Sequence, residues 1–87
     1  MIPYEQTNTD CLREMFRRVG ETYPNEELTA HDEWYTQHTW TDAEQDAFAD
    51  WMRKLLKKRY RHWRKRTIDH EVGMFVLMWG WKTTENT

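Results

Sequence analysis

Residues able to act as nucleophiles are scarce in this chain. There is no serine, which excludes a Ser–His–Asp site, and there is one cysteine, Cys11. Cys11 falls at the start of a predicted helix within an acidic half of the chain. Only the helix dipole would favour a thiolate there, so a plain buried or half-buried thiol is the simpler reading. The pair His70 and Glu71 opens like the HExxH motif of zinc proteases, but Met74 stands where the second histidine belongs. Without that ligand the motif fails. His31 and His38 lie seven apart and can share a helix face, and Glu27 or Cys11 could join them around a metal. Two partly buried helix-face histidines account for the same spacing. The three glycines are too dispersed for a phosphate-cradling loop, and adjacent acids such as Asp32 and Glu33 are too common to signal acid–base catalysis. No catalytic residue, metal site or cofactor is expected, and the chain reads as a non-enzyme.

The stretch with binding chemistry is 57–66, KKRYRHWRKR, in which rings interleave with cations. From Arg53 to Arg66 there are nine cations and no acid. Phosphate backbones are held by several Lys and Arg on one surface. Arg adds paired hydrogen bonds to phosphate, and aromatic rings stack on unpaired bases. The candidate nucleic-acid or anion-binding residues are Arg53, Lys54, Lys57, Lys58, Arg61, Arg64 and Lys65. Tyr60 and Trp63 are read as core or boundary residues ahead of stacking platforms. A merely solvated cationic face is the alternative for the whole row.

The element that must position these cations is the longest uninterrupted helical pattern, Thr41 to Arg66. Thr41 is a good N-cap, and Glu44 three residues on completes a capping box. Asp42, Glu44 and Asp46 lie near the positive end of the helix dipole and the cations near the negative end. No Gly or Pro interrupts the stretch, so about six turns are predicted. At 100° per residue, Phe48, Trp51, Met52, Leu55, Leu56 and Trp63 share one face, while Arg53, Lys57, Arg61 and Arg64 form a row on the opposite one. Lys54, Lys58 and Lys65 flank that row. Arg59 drifts toward the apolar side, where its stem can pack with its head in water.

The remaining elements read as cover for that helix. Residues 1–8 are expected to be a loose lead-in. Leu12, Met15, Phe16 and Val19 predict a short amphipathic helix near 9–19, closed by Gly20. Tyr23, Pro24 and Asn25 mark a turn, and a second helix is predicted near 26–37. Ile68, Val72, Phe75 and Trp79 predict a buried helix near 68–79, apolar nearly all round and ended by Gly80. Gly73 inside it costs about 1 kcal/mol against Ala and leaves room for a large ring such as Trp51. Lys82 to Thr87 is a polar tail. The expected core is Phe16, Trp34, Phe48, Trp51, Leu55, Val72, Phe75 and Trp79. The fold class is all-α: a compact single domain of three to four helices around one long central helix.

Composition bounds the rest. Eighty-seven residues make one small domain. The mean hydropathy of −1.11 is very polar, yet thirteen aromatics, six of them Trp, argue against disorder. The net charge of −2 conceals a split: residues 1–50 carry twelve acids and three cations, residues 51–87 three acids and ten cations. Either the acidic half folds onto the basic half, or each sign faces its own partner. The lone cysteine fits a reducing compartment, no secretory leader is expected in MIPYEQTNTD, and no apolar run is long enough to span a bilayer. A cytoplasmic protein is the default. A polybasic helix followed by 72–81 could lie on an anionic membrane, but a core this small needs that segment, so a membrane partner is disfavoured.

One resemblance adds to this reading. His38, Trp40 and Thr41, then Phe48 and Trp51, the run LLKKRY at 55–60, Glu71 and Phe75, and GWK at 80–82 together resemble small uncharacterised proteins carried by tailed bacteriophages. The likeness covers roughly residues 34–82. It implies a viral protein working in a bacterial cytosol and brings no functional residue with it. Small proteins of that class often bind and redirect host machinery, including defence systems. The leading expectation is a non-enzymatic protein presenting a basic helix face to a polyanion, most simply nucleic acid. The alternative is an inhibitor or adaptor docking on a host protein, to which the acidic residues between Glu21 and Asp50 would contribute. A third is a homodimer enclosing a small anionic ligand.

Overall fold

The computed structural model describes residues 2–23, 38–78 and 82–83. Among these the chain is mostly helical, with helices α1 (Tyr4–Arg18), α2 (Asp42–Arg59) and α3 (Lys65–Met78). Two short strands, β1 (Thr39–Trp40) and β2 (Lys82–Thr83), pair in parallel, Thr39 against Lys82 and Trp40 against Thr83. That pair departs from a purely all-α expectation and ties the start of the expected polar tail to the entry of α2. The helix expected near 26–37 lies outside the described residues, as do Trp34, Trp79 and Gly80.

The lead-in expected over 1–8 is already helical from Tyr4. Pro3 is the N-cap, with φ −61° and ψ 144°, and its carbonyl accepts from the backbone N–H groups of Gln6 and Thr7. Proline is well tolerated at a helix start, where its missing N–H removes no bond. Tyr4, Thr7 and Cys11 extend the apolar stripe toward the N-terminus, a continuation hidden by their polar chemistry. The predicted stop holds. Gly20 has φ 72°, Gly20 N–H donates to Arg17 O and Glu21 N–H to Phe16 O, which is a Schellman closure.

At the start of α2, Thr41 Oγ1 accepts from Glu44 N–H and the Glu44 carboxylate accepts from Thr41 N–H. Trp40, just ahead of this cap, is fully buried and sets its ring edge-on to Phe48 at 6.5 Å. The end of α2 corrects the prediction. The helix stops at Arg59, seven residues before Arg66, and Tyr60 leaves helical geometry at φ −122°, ψ 68°. No helix breaker does this; tertiary packing does. Seven further residues would carry the chain about 10 Å onward, and Ile68 could not turn back onto the core. Instead Tyr60 is buried. Its Oη accepts from Thr7 Oγ1 at 2.7 Å and donates to Ile2 O at 2.9 Å, fastening the helix end to the start of α1. Arg59 adds an ion pair to Asp10 at 2.8 Å.

The core gathers Cys11, Leu12 and Met15 of α1, Trp40, Phe48, Met52 and Leu56 of the β1–α2 segment, Tyr60, and Ile68, Val72 and Phe75 of α3. Phe16 is also buried, while Trp51 and Leu55, expected inside, are half-buried against it. Phe48 stacks on Phe75 at 5.7 Å, locking α3 to α2. The α3 helix is not apolar all round in its contacts: Met74 is 40% and Leu77 80% exposed. Gly73 is exposed, and a Cβ there would meet nothing within 4 Å. It therefore makes no room for a ring. Among the described residues no helix is long and apolar enough to cross a membrane.

Candidate nucleic-acid interface

The early end of α2 changes where the cations sit. Arg53, Lys54, Lys57 and Lys58 remain on α2, Arg61 lies in the turn, Arg64 gives the carbonyl that accepts from Ile68 N–H to open α3, and Lys65 is the first residue of α3. The predicted row Arg53–Lys57–Arg61–Arg64 is therefore not one helix face. All seven candidates are nevertheless exposed. Lys54, Lys57, Lys58 and Arg61 line an open depression of about 650 Å³. Lys57 and Arg61 also border a second cleft, of about 320 Å³, with Arg53, Trp63, Lys65, Ile68 and Asp69. The two depressions have Lys57 and Arg61 in common. Arg64 lines neither.

The candidates are not electrostatically equal. Asp69 accepts from Arg53 Nε at 3.1 Å and from Lys65 Nζ at 2.6 Å, and Arg53 Nη1 also reaches Asp50 at 3.2 Å. The hydrogen bond from Lys65, with Arg53 beside it, holds the Asp69 carboxyl below the usual carboxylate range. Lys54, Lys57, Lys58, Arg61 and Arg64 make no ion pair among the described residues. Like charges three and four apart on a helix, as at Lys54, Lys57 and Lys58, cost about 0.2–0.5 kcal/mol per pair. The C-terminal dipole of α2 offsets that by about 0.3–1 kcal/mol per cation, so this part of the cluster is self-consistent without a ligand. Lys65 and Arg66 are different. They occupy the first turn of α3, which has no acid, and the dipole opposes cations there. The sequence pattern put these residues at the favourable end of a long helix; the turn at Tyr60 puts them at the unfavourable end of the next.

The aromatic residues of the stretch separate by burial. Tyr60 belongs to the core. Trp63 is half-buried, stacks on Tyr60 at 4.4 Å and 18°, lies 6.0 Å from Tyr4, and lines the smaller cleft. Burial, with Glu71 beside it, raises the Tyr4 phenol far above its ordinary value and keeps it neutral. The sequence reading missed Asp69 as a member of this site. Its place four residues after Lys65, on the same helix face, was the available signal.

Of the other sequence candidates, the described ones, Cys11 and His38, lie apart. Cys11 is fully buried, and burial pushes its thiol up to about 12. His38 pairs with Glu44 at 3.0 Å on the surface. His31 and Glu27 lie outside the described residues. Among the described residues no three His, Cys, Asp or Glu side chains converge as metal ligands would. Comparison with protein-family models, with curated proteins and with solved structures finds no match.

Proposed function

We propose that this chain is a non-enzymatic binding protein that presents the basic surface around the Tyr60–Arg64 turn to nucleic acid. One observation carries the reading. Exposed cations from the end of α2 and from the turn, Lys54, Lys57, Lys58 and Arg61, line one open depression and make no ion pair among the described residues. A phosphate chain supplies the opposite charge, and Lys57 and Arg61 can contact it from either depression. The α2 helix acts as the spine of a small bundle, with α1 and α3 packed on it. The resemblance to tailed-phage proteins extends the proposal to a viral protein acting in a bacterial cytosol.

The test is binding of the purified protein, free of other proteins, to labelled single- and double-stranded DNA and RNA at physiological salt. Micromolar or tighter binding, lost when Lys54, Lys57, Lys58 and Arg61 are changed to Glu in a variant that retains its helical circular dichroism, supports the reading. Absence of binding, or equal binding by the variant, overturns it. A second reading, docking on a host protein, has Met74 and Leu77 in its favour, as apolar side chains left exposed on α3. It predicts a stoichiometric partner that survives nuclease treatment and is lost in a Leu77→Asp variant.

A further inference from the structure

Asp69 lines an otherwise basic cleft, and phosphate alone gives an acid there no role. We infer that the cleft beside Trp63 takes one unpaired, amino-bearing base of a single strand, stacked on the indole with its exocyclic amine donated to Asp69, while the flanking phosphates lie on Lys57 and Arg61. The inference rests on the nucleic-acid reading above and names the form and chemistry of the ligand.

Several features support this assignment together. The cleft, about 320 Å³, is at the lower end of the range of small-molecule pockets. That suits one flat ring system, and a base within a duplex remains stacked on its neighbours and cannot enter. Trp63 supplies a π-surface that is already held in place by Tyr60 and Tyr4. Stacking on a fixed ring avoids the entropy cost of ordering a free one. Ile68, a buried core residue, gives the cleft an apolar wall. Asp69 is held by Arg53 and Lys65 from two sides. A carboxylate accepts from the amine of cytosine and cannot be satisfied by the carbonyl that thymine presents at the same position. Lys57 and Arg61 border both depressions, so a strand leaving the cleft passes directly onto the Lys54–Lys58 surface.

The test uses the unaltered protein with three probes of equal length and charge at pH 7.5: oligo-dC, oligo-dT and an abasic phosphodiester. Stacking predicts that oligo-dC binds about ten-fold or more tighter than the abasic chain, with oligo-dT between them. Equal binding of oligo-dC and the abasic chain overturns the base-stacking inference and leaves the nucleic-acid reading standing. No binding by any probe or by duplex overturns both. Equal binding of oligo-dC and oligo-dT overturns the amine contact. Asp69→Asn is expected to raise affinity for the abasic chain, since two cations are freed, and to abolish the preference for dC over dT. An unchanged preference contradicts the role of Asp69. Trp63→Phe keeps a smaller ring and is expected to retain part of the dC advantage, whereas Trp63→Leu is expected to lose it.

Discussion

Cys11 shows how burial decides chemistry at a single residue. Its side chain, on the core face of α1, is fully buried, and its thiol is pushed up to about 12 by that burial. The nucleophile is the thiolate, so Cys11 is expected to be inert toward iodoacetamide or a disulfide reagent in the folded protein and to react at once in denaturant. Rapid labelling under native conditions contradicts the burial. The same raised value has a consequence for stability. The neutral thiol is favoured by folding, so its contribution is complete below the ordinary cysteine value of about 8.5 and is lost as pH rises beyond it. Gly73 gives the opposite kind of prediction. It lies exposed in α3 with open space around it, so Gly73→Ala should stabilise the fold by about 0.5–1 kcal/mol in a denaturant titration. A destabilising result would show that the glycine has a contact the structure does not give it.

Among elements, the decisive event is the end of α2. The sequence pattern carried the start of that helix in full, because Thr41 and Glu44, three residues apart, close a capping box by local chemistry, and a short fixed spacing is readable in the sequence. The end was not readable. Lys57 to Arg66 has no breaker, and the stop comes from Tyr60 bonding to Thr7 and Ile2, more than fifty residues away. All seven cations stay exposed, but the single-helix row predicted for Arg53, Lys57, Arg61 and Arg64 is lost. Tyr60→Phe removes a buried hydroxyl that satisfies two partners, and is expected to cost about 1–3 kcal/mol, read as a lower denaturant midpoint with an unchanged slope. A cost near zero would mean that the hydroxyl does not hold the turn. The extension of α1 back to Tyr4 was hidden for a related reason. Thr7 and Cys11 are core positions here, and their residue types do not announce it.

The whole molecule shows how the charge split resolves. Acid and base meet across the fold at Arg59 and Asp10, but Lys54, Lys57, Lys58, Arg61 and Arg64 keep no acid partner among the described residues. Several carboxylates depend on cationic or backbone donors. Glu14 is held low by Arg17 and Arg18, Glu44 by the Thr41 backbone and His38, and Asp69 by Lys65 and Arg53. A lowered folded value means stability that is present above the unfolded carboxyl values of about 4 and is lost as pH falls through the lower folded ones. Thermal stability is therefore expected to be flat from neutrality to about pH 5 and to decline below pH 4. A decline that begins between pH 6 and 7 would instead point to a histidine. Much of the acidic half, including Glu26, Glu27, Asp32 and Glu33, lies outside the described residues, and composition alone could not assign those acids to a surface.

The measurement that bears most directly on the central claim is the salt dependence of binding to a single strand. Each phosphate neutralised contributes about −0.7 to the slope of log K against log salt. Four contacts, from Lys54, Lys57, Lys58 and Arg61, predict a slope of about −3, and a variant with these four changed to Ala should lose most of it while keeping its fold. A slope near zero in the unaltered protein, or the same slope in the variant, would contradict the assignment of this surface to nucleic acid.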